Sequence, residues 1–424
     1  MKFNIITFGC KVNTYESNVM NDILIKNGFV EVSKDADVYI INTCTVTDKA
    51  DSKVSKVINK IKDSNKDSIV VAVGCFVQIN KDNMKNTNID ILIGNKNKTK
   101  IYDHIMNFKK NKQKIVDVDD VFETSFENME IESSKKTRAF VKIQDGCDNY
   151  CSYCIIPYAR GSVRSRDKKD ILDEVKRLVA KGHKEIVLTG IHTGSYGSDL
   201  NNYKLVDLLK DLIKIDELIR IRVSSIEITE IDDEFLHLLK TEEKIASHLH
   251  IPLQSGSDDI LLLMNRKYNK DYFITKIKDI KNARNDISIT TDVIVGFPNE
   301  SENNFSETVD TINQVGFTSI HVFPYSKRKN TKAYDMDGHL SEDVKKKRVD
   351  ILLKLSKELE SKYNKKFIDK ELDVIVEKIK EGYATGHTSN YLKVSFKTNE
   401  DVKKDLVKVK LKQINDNIFI GKKA

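Results

Sequence analysis

A chain of 424 residues with 39% apolar and 32% charged residues is long enough for two or three domains with sizeable cores, which excludes a small disulfide-stapled scaffold. Its net charge of +7 is a modest surplus of 71 basic over 64 acidic residues, which permits a nucleic-acid partner without demonstrating one. No apolar run has the length of a membrane helix, and the amino terminus, MKFNIITFGC, lacks the basic region and long apolar stretch of a signal peptide; we expect a cytoplasmic protein with no membrane partner and reduced thiols.

Over the first hundred residues, apolar strand-like runs alternate with amphipathic helical stretches: 3–8 then 15–26, 38–42 then 49–61, 69–73 then 78 onward, and 89–93. Strands alternating with helices predict an α/β domain with a parallel sheet, placed at residues 1–115. Cys10, Cys44 and Cys75 each follow one of these strands, in FGCKVN, NTCTVT and VGCFVQ. Ligand sites of open α/β sheets lie beyond the carboxyl ends of the strands, so three loops there can gather three distant thiols. Cysteine also ends strands as a small buried hydrophobe. The shared position of all three favours a three-thiolate cluster instead. Residues 110–136 are polar and without a clear period, which sets a linker at 116–135.

Residues 138–144 read as a strand running into KIQDGCDNYCSYCIIPYARG, where Cys147, Cys151 and Cys154 stand in C-x3-C-x2-C spacing. That spacing supplies thiolates to three irons of a cubane cluster and leaves the fourth iron open. A tetrahedral zinc site would want a fourth ligand nearby, and the nearest histidines, His183 and His192, lie well downstream, so zinc is the weaker reading. Five more strand-like segments follow, at 185–188, 219–224, 248–253, 287–295 and 319–324. Six βα units predict a partial (β/α)6 barrel over 136–360, with its site at the carboxyl ends of the strands. A charged helix is expected at 344–365, and short alternating strands over 361–424 predict a small antiparallel β-barrel. Lys403, Lys404, Lys408, Lys410, Lys412, Lys422 and Lys423, with Tyr383 and Tyr391 nearby, suit phosphate contacts and base stacking; a solvated lysine face is the plainer reading.

The trio at 147–154, with the aromatic Tyr153 just before its last cysteine, resembles the signature of radical S-adenosylmethionine enzymes. With the three-cysteine domain before it and a terminal barrel after it, the whole chain resembles the methylthiotransferase family. GCKVN at 9–13, NTCTVT at 42–47, PYARG at 157–161 and TGIHTGSYG at 189–197 look like the branch modifying threonylcarbamoyladenosine beside the tRNA anticodon. The isopentenyladenosine branch typically reads GCQMN at the first cysteine, and Lys11 and Val12 point away from it. GYATGHTSNYLKV at 382–394 is similar to the TRAM RNA-binding module.

The resemblance implies two [4Fe-4S] clusters, one on Cys147, Cys151 and Cys154 that cleaves S-adenosylmethionine, and an auxiliary one on Cys10, Cys44 and Cys75 that carries the sulfur to be methylated and transferred to carbon 2 of the adenine. It implies cofactor contacts from Tyr153, from Thr189, Gly190 and Ile191, from Glu227 toward the ribose hydroxyls, and from Gln254, Ser255 and Arg266; Arg266 reads equally well as a structural ion pair. Implied partners are the tRNA anticodon stem-loop, a sulfur source and an electron donor such as flavodoxin or ferredoxin. Departures from the family pattern are Ile228 for proline, and Asn299 and Asn330 for glycines; asparagine tolerates left-handed backbone and preserves such turns. Two other enzyme readings, methylthiolation of isopentenyladenosine in tRNA or of a ribosomal-protein aspartate, share this chemistry. A non-catalytic Fe-S or zinc RNA-binding protein is the reading from another class.

Overall fold

Six consecutive residues, Ile69–Gly74, are buried at every position, which happens in a parallel sheet covered on both faces. In the computed structural model they form β4 of an amino-terminal sheet that also holds β1 (Lys2–Thr7), β2 (Val30–Glu31), β3 (Val38–Thr43), β5 (Ile91–Ile93) and β6 (Ile115–Asp117). The order is β2-β1-β3-β4-β5-β6 and every pairing is parallel. Val71 and Val73 face one core with Met20, Leu24, Ile101 and Ile105; Val70 and Ala72 face another with Val54, Ile58 and Val77. The structure describes all residues except 46, 47, 85, 86, 123, 124, 133 and 135, and describes 48–53 by backbone alone.

Sequence periodicity does not reveal β2 or β6, which are edge strands of two and three residues. β6 also takes up the first residues of the expected linker. The stretch that follows is no free tether: Met129 and Ile131 are buried, Tyr15 donates its hydroxyl to the Met129 carbonyl at 2.7 Å, and the Ile131 amide donates to Glu174 at 2.9 Å.

The central region opens with β7 (Arg138–Lys142), and β8 (Gln144–Asp145) pairs with β9 (Arg164–Ser165) around the second cysteine loop. Then come β10 (Glu185–Thr189), β11 (Arg220–Val223), β12 (His248–His250), β13 (Ser288–Val295) and β14 (Ser319–Pro324). Two parallel triplets, β11-β10-β7 and β12-β13-β14, are joined by single bridges, Ile221 to Ile245 and Ser225 to His250. The result is a six-stranded half-barrel in chain order, as the sequence predicts. Tyr15 and Val19 of the helix Lys11–Lys26 share its core with Ala139, Val141 and Ile143, so the amino-terminal helix packs against β7.

The helix Glu342–Asn364 leads to a closed barrel of β15 (Glu371–Lys380), β16 (Tyr383–Thr388), β17 (Lys393–Lys397), β18 (Leu406–Asn415) and β19 (Ile418–Lys423), in the order β15-β16-β17-β19-β18. Four of these strands alternate visibly in sequence. β16, YATGHT, does not, because Gly386 stands where a Cβ would come within 2.1 Å of the Ile375 carbonyl oxygen. This barrel closes the amino ends of the central strands: the Ser247 amide donates to Ser389 Oγ at 2.9 Å, and Arg220 and Arg222 donate to the carbonyls of His387 and Ser389 at 3.2 and 3.3 Å.

Candidate metal centres and barrel lumen

β1, β3 and β4 are neighbours in the sheet, and Cys10, Cys44 and Cys75 follow their carboxyl ends. The loops meet closely. At Gly9, where φ is +98°, a Cβ would lie 2.7 Å from Cys44 Cβ and 2.9 Å from its sulfur. Asn13 ties the loops together by donating to the carbonyls of Phe8 and Thr43 at 2.8 and 2.9 Å. Cys10 holds the N-cap position of the helix Lys11–Lys26 and Cys75 opens the helix Cys75–Met84, so two of the thiols stand at helix amino ends; burial raises the Cys10 thiol above its ordinary range. Gly9→Ala is therefore expected to displace Cys44 and lose the metal bound by this trio, read as a drop in iron and sulfide content after reconstitution; full loading of the variant would refute the close approach.

Behind this trio lies a buried charge cluster that ties it to the half-barrel. Arg160, the last residue of the short helix Ile156–Arg160 that follows Cys154, is fully buried and donates from Nε to Cys75 Sγ at 3.2 Å, from Nη2 to Asn13 at 3.0 Å, and from Nη1 to Glu16 and Asp145 at 2.9 and 3.0 Å. Glu16 also holds Lys98 and Lys142, each at 2.8 Å. Burial opposes charge on Glu16, but Arg160, Lys142 and Lys98 hold its carboxyl well below the usual range. Three cations face two carboxylates, so the cluster presents surplus positive charge to the Cys75 sulfur.

The second trio sits on a tight loop. The Cys154 amide donates to the Cys151 carbonyl at 2.9 Å, and the Cys147 amide to the Gly161 carbonyl at 3.0 Å. Burial, reinforced by the Cys151 sulfur, pushes the Cys154 thiol up to about 12, a cost that a bound metal removes by replacing the proton. Arg266 donates from Nη1 to Cys151 Sγ at 3.3 Å and pairs with Glu227 through Nη2. His192 Nδ1 lies 3.7 Å from Cys147 Sγ and its ring faces Glu230 at 2.6 Å. Among the described residues neither trio brings its three sulfurs all within 4.8 Å of one another. One tetrahedral zinc would need sulfurs about 3.8 Å apart. The donor sets fit a multi-iron group better than a single ion.

The other cofactor residues named from sequence fall variously. Tyr153 is held edge-on to Phe297, centroids 6.4 Å apart, and Thr189 ends β10, followed by Gly190 and the half-buried Ile191. Glu227 and Arg266 are joined in one ion pair beside Cys151, so the structural ion-pair reading of Arg266 and its place at the site both hold geometrically. Gln254, at φ +63°, pairs through its backbone with Asp292 and Ile294 of β13. Ser255 is buried, and its hydroxyl lies 3.3 Å from Thr308 Oγ1 on the helix Glu302–Val315. Asn299 and Asn330 have φ of 65° and 67°, the left-handed turns their substitution for glycine preserves. Tyr391 is 40% exposed, stacks on His387 and lies near His248 at centroid distances of 4.8 and 4.9 Å, and borders the lumen.

Sequence alone misses Arg160, Glu16, Lys98, Lys142, Asp145 and His192. Glu16 carries one signal: it shares the buried face of its helix with Val12, Val19 and Met20, where a lone carboxylate demands a partner. The half-barrel also encloses a lumen of about 540 Å³, lined by Lys11, Arg138, Arg222, His250, His321 and Tyr391 among others. Lumens of roughly 300–1,000 Å³ hold compact organic ligands.

A parallel half-barrel with three thiols on the loop after its first strand defines a radical S-adenosylmethionine enzyme, a class that binds that cofactor and [4Fe-4S] clusters. A model of the Radical SAM superfamily matches residues 141–312, and one described as Uncharacterized protein family UPF0004 matches residues 2–94. The fold is similar to that of the radical S-adenosylmethionine methyltransferase TsrM from Kitasatospora setae, solved with cobalamin and a [4Fe-4S] cluster, with a TM-score of 0.58 at 12% identity, covering 78% of this chain and 74% of that one. In sequence the chain is 40% identical over 416 residues to the threonylcarbamoyladenosine tRNA methylthiotransferase MtaB of Bacillus subtilis, covering 96% of this chain and 92% of that one. It is 35% identical over 433 residues to the tRNA-2-methylthio-N(6)-dimethylallyladenosine synthase of Lachnoclostridium phytofermentans, covering 99% and 95%. The chain belongs to the methylthiotransferase family of radical S-adenosylmethionine enzymes.

Proposed function

We propose that this protein places a methylthio group on carbon 2 of threonylcarbamoyladenosine next to the tRNA anticodon. The reading rests on two separate cysteine trios, joined through Arg160, in a chain closer to relatives named for threonylcarbamoyladenosine, at 38–40% identity, than to those named for dimethylallyladenosine, at 34–37%. In this reading Cys147, Cys151 and Cys154 hold one cluster and Cys10, Cys44 and Cys75 the auxiliary one. When bound, the first supplies the electron that cleaves S-adenosylmethionine and the second carries the sulfur to be transferred.

The chain's own residues do the rest. Arg266 donates to the Cys151 sulfur and Arg160 to the Cys75 sulfur, hydrogen bonds of the kind that set cluster potential. Tyr153, Thr189, Gly190, Ile191, Glu227, Gln254, Ser255 and Arg266 remain the proposed surroundings of the cofactor. A sulfur source and an electron donor such as flavodoxin or ferredoxin are needed to complete turnover. Among the described residues no helix is long and apolar enough to cross a membrane.

The terminal barrel is the proposed TRAM-like RNA contact. Lys408 and Lys410 alternate with buried Val407, Val409 and Leu411 along β18, and Lys410 pairs in register with Lys422 of β19, so three lysines share an outer face. Changing Lys408, Lys410 and Lys422 together to Gln is expected to lower the slope of log affinity against log salt by about two, at roughly 0.7 per lost phosphate contact. An unchanged slope would remove this face from the RNA interface. The function itself is tested by expressing the protein in a bacterium stripped of its own methylthiotransferases and analysing tRNA nucleosides by mass spectrometry. Conversion of threonylcarbamoyladenosine with isopentenyladenosine untouched supports the reading; the reverse pattern overturns it.

A further inference from the structure

The lumen of the half-barrel is electrically one-sided. Lys11, Arg138, Arg222 and Lys393 line it against a single carboxylate, Glu360. Lys11 stands one residue after Cys10, and the surface it exposes lines this lumen; it makes no ion pair or hydrogen bond among the described residues. Arg222 is buried in the wall, paired with Glu185 through Nε at 2.9 Å, and its Nη2 has no partner. Arg138 pairs with Glu377 at 3.2 Å, and both guanidinium groups lie over the Tyr391 ring, at 5.0 and 4.7 Å. Asp292 is held by His250 and His321, which line the lumen, at 3.1 and 3.3 Å.

We propose that Lys11, with Arg222 and Arg138 behind it, is the receptor for the carboxylate of the amino-acid appendage on the target adenosine. The proposal rests on the reading of threonylcarbamoyladenosine as substrate and names what recognises it. Threonine joined through its amino group to the N6 carbonyl keeps a free carboxylate, whereas a dimethylallyl group carries no charge. Carbons 2 and 6 of adenine flank the same ring nitrogen and N6 is carried on carbon 6, so an appendage on N6 reaches the surroundings of the sulfur that approaches carbon 2. Lys11, next to the Cys10 loop and facing the lumen, occupies that neighbourhood. An uncharged appendage would leave Lys11 without a counter-charge, which is how a polar site rejects an apolar analogue.

The test uses full-length reconstituted protein and two anticodon stem-loops, one carrying threonylcarbamoyladenosine and one its threonine carboxamide analogue. The wild type is expected to favour the carboxylate by a factor of about 100 or more in kcat/KM. Lys11→Met is expected to shrink that ratio at least about tenfold, mainly through KM, with iron and sulfide content confirming that Cys10 still holds its metal. Should Lys11→Met lose iron, Arg138→Gln, remote from the cysteines in sequence, decides by the same ratio. A preserved ratio in the loaded variant overturns the receptor while leaving the substrate reading intact. An equal fall on both stem-loops would mean that Lys11 holds a backbone phosphate, and also overturns it. Methylthiolation of neither stem-loop by the wild type would sink the receptor and the substrate reading together.

Discussion

Replacing Cys10, Cys44 and Cys75 together with Ala abolishes methylthio transfer, by more than about 1,000-fold, while formation of 5′-deoxyadenosine continues. A loss of that size corresponds to more than about 4 kcal/mol of barrier. The argument is topological. These thiols stand on the carboxyl ends of β1, β3 and β4, in a sheet separate from the half-barrel, and the loop carrying Cys147, Cys151 and Cys154 is fixed by its own backbone bonds to Gly161 and Met264. Removing the Cys75 sulfur takes one partner from Arg160, which keeps Glu16, Asp145 and Asn13. The second trio should therefore keep its geometry and its reductive chemistry. Product formed by the triple variant, or loss of 5′-deoxyadenosine along with product, would contradict this division of labour.

Glu16→Gln should be the most damaging single change outside the cysteines, costing about 3–5 kcal/mol of stability. Its carboxylate is fully buried and shared by Lys98, Lys142 and Arg160. The amide keeps the shape but removes the charge, leaving Lys142 and Arg160 to share Asp145 and Lys98 with no carboxylate. Because the Glu16 carboxyl is held well below its ordinary range, its contribution is fully present above about pH 4.3 and is lost only as pH falls through the depressed folded value. The wild type and variant should accordingly differ at neutral pH in urea unfolding and converge in strong acid. A difference below about 1 kcal/mol at pH 7 would mean that the cluster relaxes around the loss.

Much of this molecule is legible from residue order. The positions of Cys10, Cys44 and Cys75 after apolar runs foretell their shared sheet edge, because strand ends in a parallel sheet point one way. The spacing of Cys147, Cys151 and Cys154 foretells a loop site, because those residues are local. What escapes is long-range. Arg160 meets Glu16 across 144 residues, and nothing in ARG or YES announces that pairing. His192 reaches Cys147 only because β10 lies beside β7 in the barrel. Tyr391 reads as an exposed aromatic among lysines, and it is exposed, but its place at the lumen beside His248 depends on the packing of the terminal barrel under the central strands. Lys11 reads as one more surface lysine until the helix it opens is seen against the barrel.

The most direct test of the account is nucleoside mass spectrometry on threonylcarbamoyladenosine-bearing tRNA incubated anaerobically with reconstituted protein, S-adenosylmethionine, sulfide and a reductant, with 5′-deoxyadenosine measured in the same samples. The account predicts a 2-methylthio product on that nucleoside accompanied by 5′-deoxyadenosine; 5′-deoxyadenosine with the nucleoside left unmodified would contradict the proposed target.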